Sequence, residues 1–73
     1  MLDFPSRLRD LRVKKSLTQK AVADVLEMPE QSYQRYELDM RKPNYEIIIK
    51  LADCFGVSTD YLLGLTDNPE RNH

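Results

Sequence analysis

Pro29 limits what this chain can become more than any other residue. It sits between two short stretches of helical apolar spacing, Val22, Ala23 and Leu26 before it and Tyr33 and Tyr36 after it. A proline fixes its own φ and pushes the preceding residue out of the helical region, so Met28 cannot carry a helix through. One long helix is excluded. The pattern instead requires two short helices joined by a turn at Glu27 and Met28, the second starting at about Glu30.

The rest of the chain repeats this short-helix grammar and shows no strand alternation. Phe4, Leu8 and Leu11 recur at helical spacing with Pro5 in the first turn, which predicts a helix from about Phe4 to Lys15. Thr18 offers a capping hydroxyl, and Leu17 before it can pack on Val22, so a second helix starts abruptly there. Asp39 to Pro43 reads as a loop. Pro43 and Asn44 open a fourth helix in which Tyr45, Ile48, Leu51, Ala52 and Phe55 share a face, and Gly56 ends it. Ser58 caps a short fifth helix that offers Leu62 and Leu63 to the core before Gly64 closes it. An all-α domain is expected over residues 1–65, with a frayed polar tail at 66–73.

Composition removes several function classes. A chain of 73 residues makes one domain and buries only about 60% of its unfolded surface, leaving little volume for an enclosed active site. With 41% apolar and 32% charged residues it reads as a soluble globular protein. No apolar run approaches the roughly 20 residues of a membrane span, and the first residues lack the apolar core of a signal peptide. A cytoplasmic location without membrane contact is the default expectation. Cys54 is the single cysteine and His73 the single histidine. They assemble neither a metal site nor a nucleophile–base pair, so no enzyme, metal or cofactor is expected. Cys54 reads as a small packing thiol.

The order RLRDLR, LTQKAVADVLEM, EQSYQRYE, RKPN and LADCFGVSTDYLLG resembles the Cro/repressor-type helix-turn-helix family, also called the xenobiotic-response-element family, of phage and bacterial regulators. The resemblance covers about Ser6 to Gly64. The family motif begins with glutamine and wants apolar residues at its fourth, eighth, tenth, fifteenth and eighteenth places and a small one at its fifth. Counted from Gln19, those places hold Val22, Leu26, Met28, Tyr33, Tyr36 and Ala23. Two departures stand out. Glu27 occupies the turn place that usually holds glycine, as Ser16 does in the preceding turn, and Pro29 stands where a Ser or Thr commonly caps the next helix. A non-glycine residue with positive φ costs about 1 kcal/mol.

The resemblance implies a compact five-helix, lambda-repressor-like DNA-binding domain in which helices 2 and 3 form the helix-turn-helix. It implies a sequence-specific regulator of double-stranded DNA, such as a phage-type or mobile-element repressor, that reads the major groove with helix 3. Glu30, Gln31, Ser32 and Arg35 are then the base-facing set, with Gln34 more to the side. The residue types suit such readout, because glutamine pairs with adenine, arginine pairs with guanine, and glutamate accepts from cytosine. Gln19, Lys20, Arg41 and Lys42 are the phosphate candidates. By the same resemblance Arg12 pairs with Glu37 as a structural ion pair that also offers a guanidinium to phosphate.

Charge supports this placement. The net charge is −1 overall, yet residues 1–42 carry nine Lys/Arg against seven Asp/Glu and residues 43–73 carry two against five. A homodimer on a palindromic operator is expected, with Ile47, Tyr61 and Leu65 as candidate interface residues and no small-molecule ligand evident. The competing expectation is an antitoxin or other protein-interaction module built on the same helices.

Overall fold

Main-chain hydrogen bonding closes five helices in a computed structural model that describes residues 2–71. They are α1 (Phe4–Lys14), α2 (Gln19–Val25), α3 (Glu30–Glu37), α4 (Tyr45–Phe55) and α5 (Thr59–Leu62), with no strand among the described residues. His73 lies outside the described residues. The five-helix all-α domain is therefore as the sequence reads.

Four of the helices start on a side-chain cap that accepts a main-chain N–H: Asp3 from Ser6 at 3.1 Å, Thr18 from Ala21 at 3.0 Å, Asn44 from Ile47 at 2.9 Å and Ser58 from Tyr61 at 3.0 Å. These side chains satisfy amides that a helix leaves without internal partners. The third helix is the exception. Pro29 supplies no side-chain cap, and Glu30 in the first turn answers the helix dipole instead.

All five helices end in the same way. After each, one residue turns left-handed: Ser16 (φ 56°), Glu27 (φ 57°), Asp39 (φ 57°), Gly56 (φ 66°) and Gly64 (φ 79°). The amide of the following residue then reaches back to a carbonyl in the last turn, as Leu17 does to Arg12 at 3.1 Å, Met28 to Ala23 at 3.0 Å, Met40 to Arg35 at 2.9 Å, Val57 to Ala52 at 3.1 Å and Leu65 to Asp60 at 2.9 Å. This doubly bonded ending satisfies carbonyls that would otherwise be orphaned. Only two of the five use glycine. Positive φ at Ser16 and Glu27 matches the sequence reading, whereas Asp39 carries no such sign in its loop.

The core draws on every helix: Leu8 and Leu11, Val22, Ala23 and Leu26, Tyr33 and Tyr36, Leu51, Ala52 and Phe55, Leu62, and Val57 between the last two helices. Tyr33 is fully buried and meets Tyr36 edge-on, with ring centroids 6.4 Å apart and an interplanar angle of 82°. Edge-to-face rings of this kind add to the area they bury. They lock α3 against α1 and α2, which fixes the direction of its outer face.

Three expectations need correction. Tyr45 is 74% exposed instead of sharing the inward face of α4. Steps of three residues fall about 60° short of a full turn, so Tyr45 drifts off the Leu51 side, and Ile47 packs on the core in its place. Ile47, expected at an interface, is thus held against the core, and Ile49 is the isoleucine of α4 that is exposed. Leu63 is 38% exposed while Leu62 is fully buried, because neighbours on a helix point about 100° apart.

Among the described residues after α5, three points touch the body of the domain. Arg7 is almost fully buried, and its Nη2 donates to Asp67 Oδ1 at 3.1 Å while its guanidinium lies 3.9 Å from the Tyr61 ring centroid. The amide of Ser58 donates to the Pro69 carbonyl at 3.1 Å, and Arg71 pairs with Asp53. Gly64 sits against the N-terminal segment. A Cβ there would lie 2.4 Å from the Leu2 carbonyl oxygen.

One carboxylate ties the first three helices together. Glu37 accepts from Arg12 Nε at 2.6 Å and Arg12 Nη2 at 3.1 Å, from Gln19 Nε2 at 3.2 Å, and from the Tyr33 hydroxyl. Arg12 Nη1 also donates to the Leu17 carbonyl at 2.9 Å, which secures the α1–α2 turn. Burial by itself raises the Glu37 pKa, but the bonds from Arg12, Tyr33 and Gln19 outweigh it and hold the carboxyl below its ordinary value. Burial, then the bond to Glu37, pushes the Tyr33 phenol strongly upward, so it stays a donor.

Two outcomes follow for stability. Because the folded pKa of Glu37 is depressed, its contribution is present above the unfolded glutamate value of about 4.3 and is lost as pH falls through the lower folded value. Melting temperatures measured across that acidic range should drop in the wild-type chain and drop less in Glu37→Gln, which starts lower at neutral pH. Among the left-handed residues, Gly64→Ala should cost roughly 2 kcal/mol or more through strain plus the Leu2 collision, against about 1 kcal/mol for Gly56→Ala. Glu27→Gly and Asp39→Gly should instead be neutral or stabilising by up to about 1 kcal/mol in chemical denaturation.

Candidate nucleic-acid interface

With Tyr33 and Tyr36 turned into the core, the opposite side of α3 is free. Glu30, Gln31, Gln34 and Arg35 are exposed along it, and Ser32 is half-buried at its edge. None of Glu30, Gln31, Gln34 or Arg35 makes a side-chain hydrogen bond or ion pair among the described residues. A face of unpaired amides, a carboxylate and a guanidinium can exchange water for donors and acceptors on a partner. Its exposed apolar area is confined to Leu38 and Met40 just past the end of the helix. Such a surface suits the edges of base pairs better than a protein core.

Beside this face runs an open cleft of about 550 Å³, walled by Arg9 and Arg12 of α1, Thr18 and Gln19 at the start of α2, Glu30 and Glu37 of α3, and the apolar Leu38 that follows α3. The carboxylate of Glu37 is filled by its four donors, so its charge is answered inside the fold. Gln19 has one amide N–H committed to Glu37 and keeps the other. Arg12 has a side-chain exposure of 14% and is held by Glu37 and the Leu17 carbonyl.

The remaining candidates from the sequence differ in how committed they are. Lys20 is exposed and pairs with Asp24 at 3.2 Å, and Lys42 approaches Asp39 at 4.0 Å. Exposed pairs of this kind are worth little and exchange easily. Arg41 is exposed without a partner among the described residues. On the far side, Leu65 is 69% exposed, while Ile47 packs on the core and Tyr61 is half-buried against Arg7. Those two residues are already engaged within the chain.

Sequence reasoning passes over Arg9. Its signal lies in the three-residue spacing to Arg12, which puts both guanidiniums on one side of α1. It also passes over the hydroxyl of Tyr33, whose ring alone is legible, and the use of Gln19 as a donor to Glu37.

Comparison with known proteins gives this geometry a family. Over 67 residues the chain is 41% identical to the uncharacterized HTH-type transcriptional regulator YobD of Bacillus subtilis (strain 168), covering 92% of this chain and 60% of that protein. It is 38% identical over 71 residues to the HTH-type transcriptional regulator ImmR of the same strain, covering 97% of this chain and 56% of that protein. The cryptic phage CTXphi transcriptional repressor RstR of Vibrio cholerae is 39% identical over 54 residues, covering 74% of this chain and 49% of that protein. The chain therefore spans between about half and three fifths of the length of these relatives. A helix-turn-helix family model matches residues 8–62, a span that includes both helices of the motif and the Arg12–Glu37 pair. On that match and these identities, the chain belongs to the helix-turn-helix family of the Cro/C1 type.

Proposed function

We propose that this chain is the DNA-reading domain of a sequence-specific transcriptional regulator of the phage-repressor type. The observation that carries the proposal is the division of α3. Its tyrosines are locked into the core, and its polar residues stand free on a rigid helix beside a cleft with two guanidiniums. Relatives named as transcriptional regulators, one of them a phage repressor, support the same reading.

In this reading α3 enters the major groove and Glu30, Gln31, Ser32 and Arg35 face base edges. Arg35 supplies a two-pronged donor for guanine, Gln31 a donor–acceptor pair for adenine, and Glu30 an acceptor for cytosine. Gln19, Lys20, Arg41 and Lys42 contact phosphates and set the register, carrying no sequence information of their own. Arg12 is held by Glu37 so that α2 and α3 present their contacts as one body. DNA occupancy by such a domain acts by blocking or recruiting polymerase and involves no catalytic step.

One domain covers few base pairs, so two copies binding half-sites about 34 Å apart give a palindromic operator its affinity. Leu65, exposed beyond α5, is the interface candidate that the fold leaves free. No helix among the described residues is long and apolar enough to cross a membrane. A regulator of this kind works where the chromosome is, in the cytoplasm.

Selection of bound sites from a random duplex pool tests the proposal directly. A symmetric site with half-sites one helical turn apart supports it, and recovery of no enriched sequence rejects it. Arg35→Ala should leave the melting temperature within about 2 °C and reduce binding to the selected site by about 1–3 kcal/mol, with relaxed preference at one base position. If a dimer makes about eight phosphate contacts, log K should fall against log salt with a slope near −7. A flat salt dependence would contradict the phosphate assignments.

A further inference from the structure

We infer that Arg9 is a phosphate-holding residue of this domain, a role that rests on the DNA-binding reading above. Salt bridges within the chain divide its cations into two sets. Arg7, Arg12, Lys14, Lys20, Lys42 and Arg71 each face a carboxylate, with partners at Asp67, Glu37, Asp10, Asp24, Asp39 and Asp53. Arg9, Lys15, Arg35, Arg41 and Lys50 have no such partner among the described residues, and of these the exposed Arg9 alone lines the cleft. Its charge is therefore available to a ligand without first breaking an internal pair.

Its position gives that charge a place to act. Arg9 walls the cleft that Thr18 and Gln19 close from the α2 side and Glu30 from the α3 side. Three kinds of donor border this space. The Arg9 guanidinium carries a full charge and a planar fork that matches phosphate oxygens. The Thr18 hydroxyl oxygen accepts from Ala21, which leaves its own O–H to donate. Gln19 keeps the amide N–H that Glu37 does not take.

The acceptors bordering the cleft are accounted for too. Glu37 is saturated by Arg12, Gln19 and Tyr33, so it offers no oxygen that would turn a phosphate away. Glu30 is the one open carboxylate on the walls, and it stands on the reading helix. Repulsion from Glu30 directs an incoming phosphodiester to the α1 side, against Arg9. One strand's backbone is thereby held by α1 while the first turn of α3 addresses the bases beside it. A phosphate contact of this kind weakens with salt and is indifferent to sequence, which separates it from the role of Arg35.

The experiment compares wild type, R9Q and R9K on the duplex that wild type selects and on an unrelated duplex, across a range of salt. R9Q is expected to weaken both duplexes by the same factor, about threefold or more at low salt, and to reduce the magnitude of the salt slope by about one per protomer. R9K should restore most of the slope, and thermal melting of R9Q should match wild type because the side chain is exposed. Wild-type affinity and slope in R9Q would overturn the inference and leave the DNA-binding reading standing. Loss confined to the selected duplex would also overturn it, since that is the signature of a base contact. Failure of the wild-type chain to bind any duplex would remove both.

Discussion

The carboxylate of Glu37 is the point through which the exposed face of α3 is held in place. It closes α3, yet its donors come from α1 and α2 as well as from the turn of α3 above it. Removing one partner from a buried charge cluster leaves the others unanswered in a low-dielectric setting, which is far more costly than removing an exposed pair. The orientation of α3 relative to α2 thus depends on a polar contact as well as on apolar packing. A hydrophobic core alone tolerates small rotations of one helix on another. A carboxylate holding a guanidinium by both oxygens does not.

This arrangement separates two jobs that often compete for the same residues. Tyr33 and Tyr36 supply volume to the core, and Tyr33 also supplies a hydroxyl to the polar cluster. The residues between and around them are not tied up inside the fold: Gln31, Gln34 and Arg35 make no side-chain hydrogen bond or ion pair among the described residues. Helix periodicity makes the separation possible, since positions three and four apart share one side and the intervening ones share the other. A short helix can therefore be rigid and chemically open together.

Much of the fold is legible because its signals are local. Pro29 announces the turn, Thr18 and Ser58 announce helix starts, Gly56 and Gly64 announce helix ends, and the tyrosine spacing announces the buried side of α3. What escapes depends on distance along the chain or on angle around a helix. Arg7 meets Asp67 across sixty residues, and nothing near either one in sequence marks the pairing. Tyr45 carries an apolar ring at an apparently helical spacing, but its angular drift puts it in solvent. Asp39 stays hidden because aspartate is at home in loops, so its left-handed backbone leaves no distinctive mark. In the candidate site, the α3 face follows from residue types at helical spacing. The cleft does not, because its walls come from three helices whose mutual placement only tertiary structure gives.

The shared way in which the helices stop has a corollary for substitution. Three of the five endings hold an L-amino acid where glycine would relax the backbone, so the turns keep room for changes that are neutral or stabilising. A change at Ser16, Glu27 or Asp39 can therefore offset a loss of stability elsewhere without touching the outer residues of α3. Those three positions lie in the turns after their helices, so backbone strain and the exposed face of α3 can change independently in the same small chain.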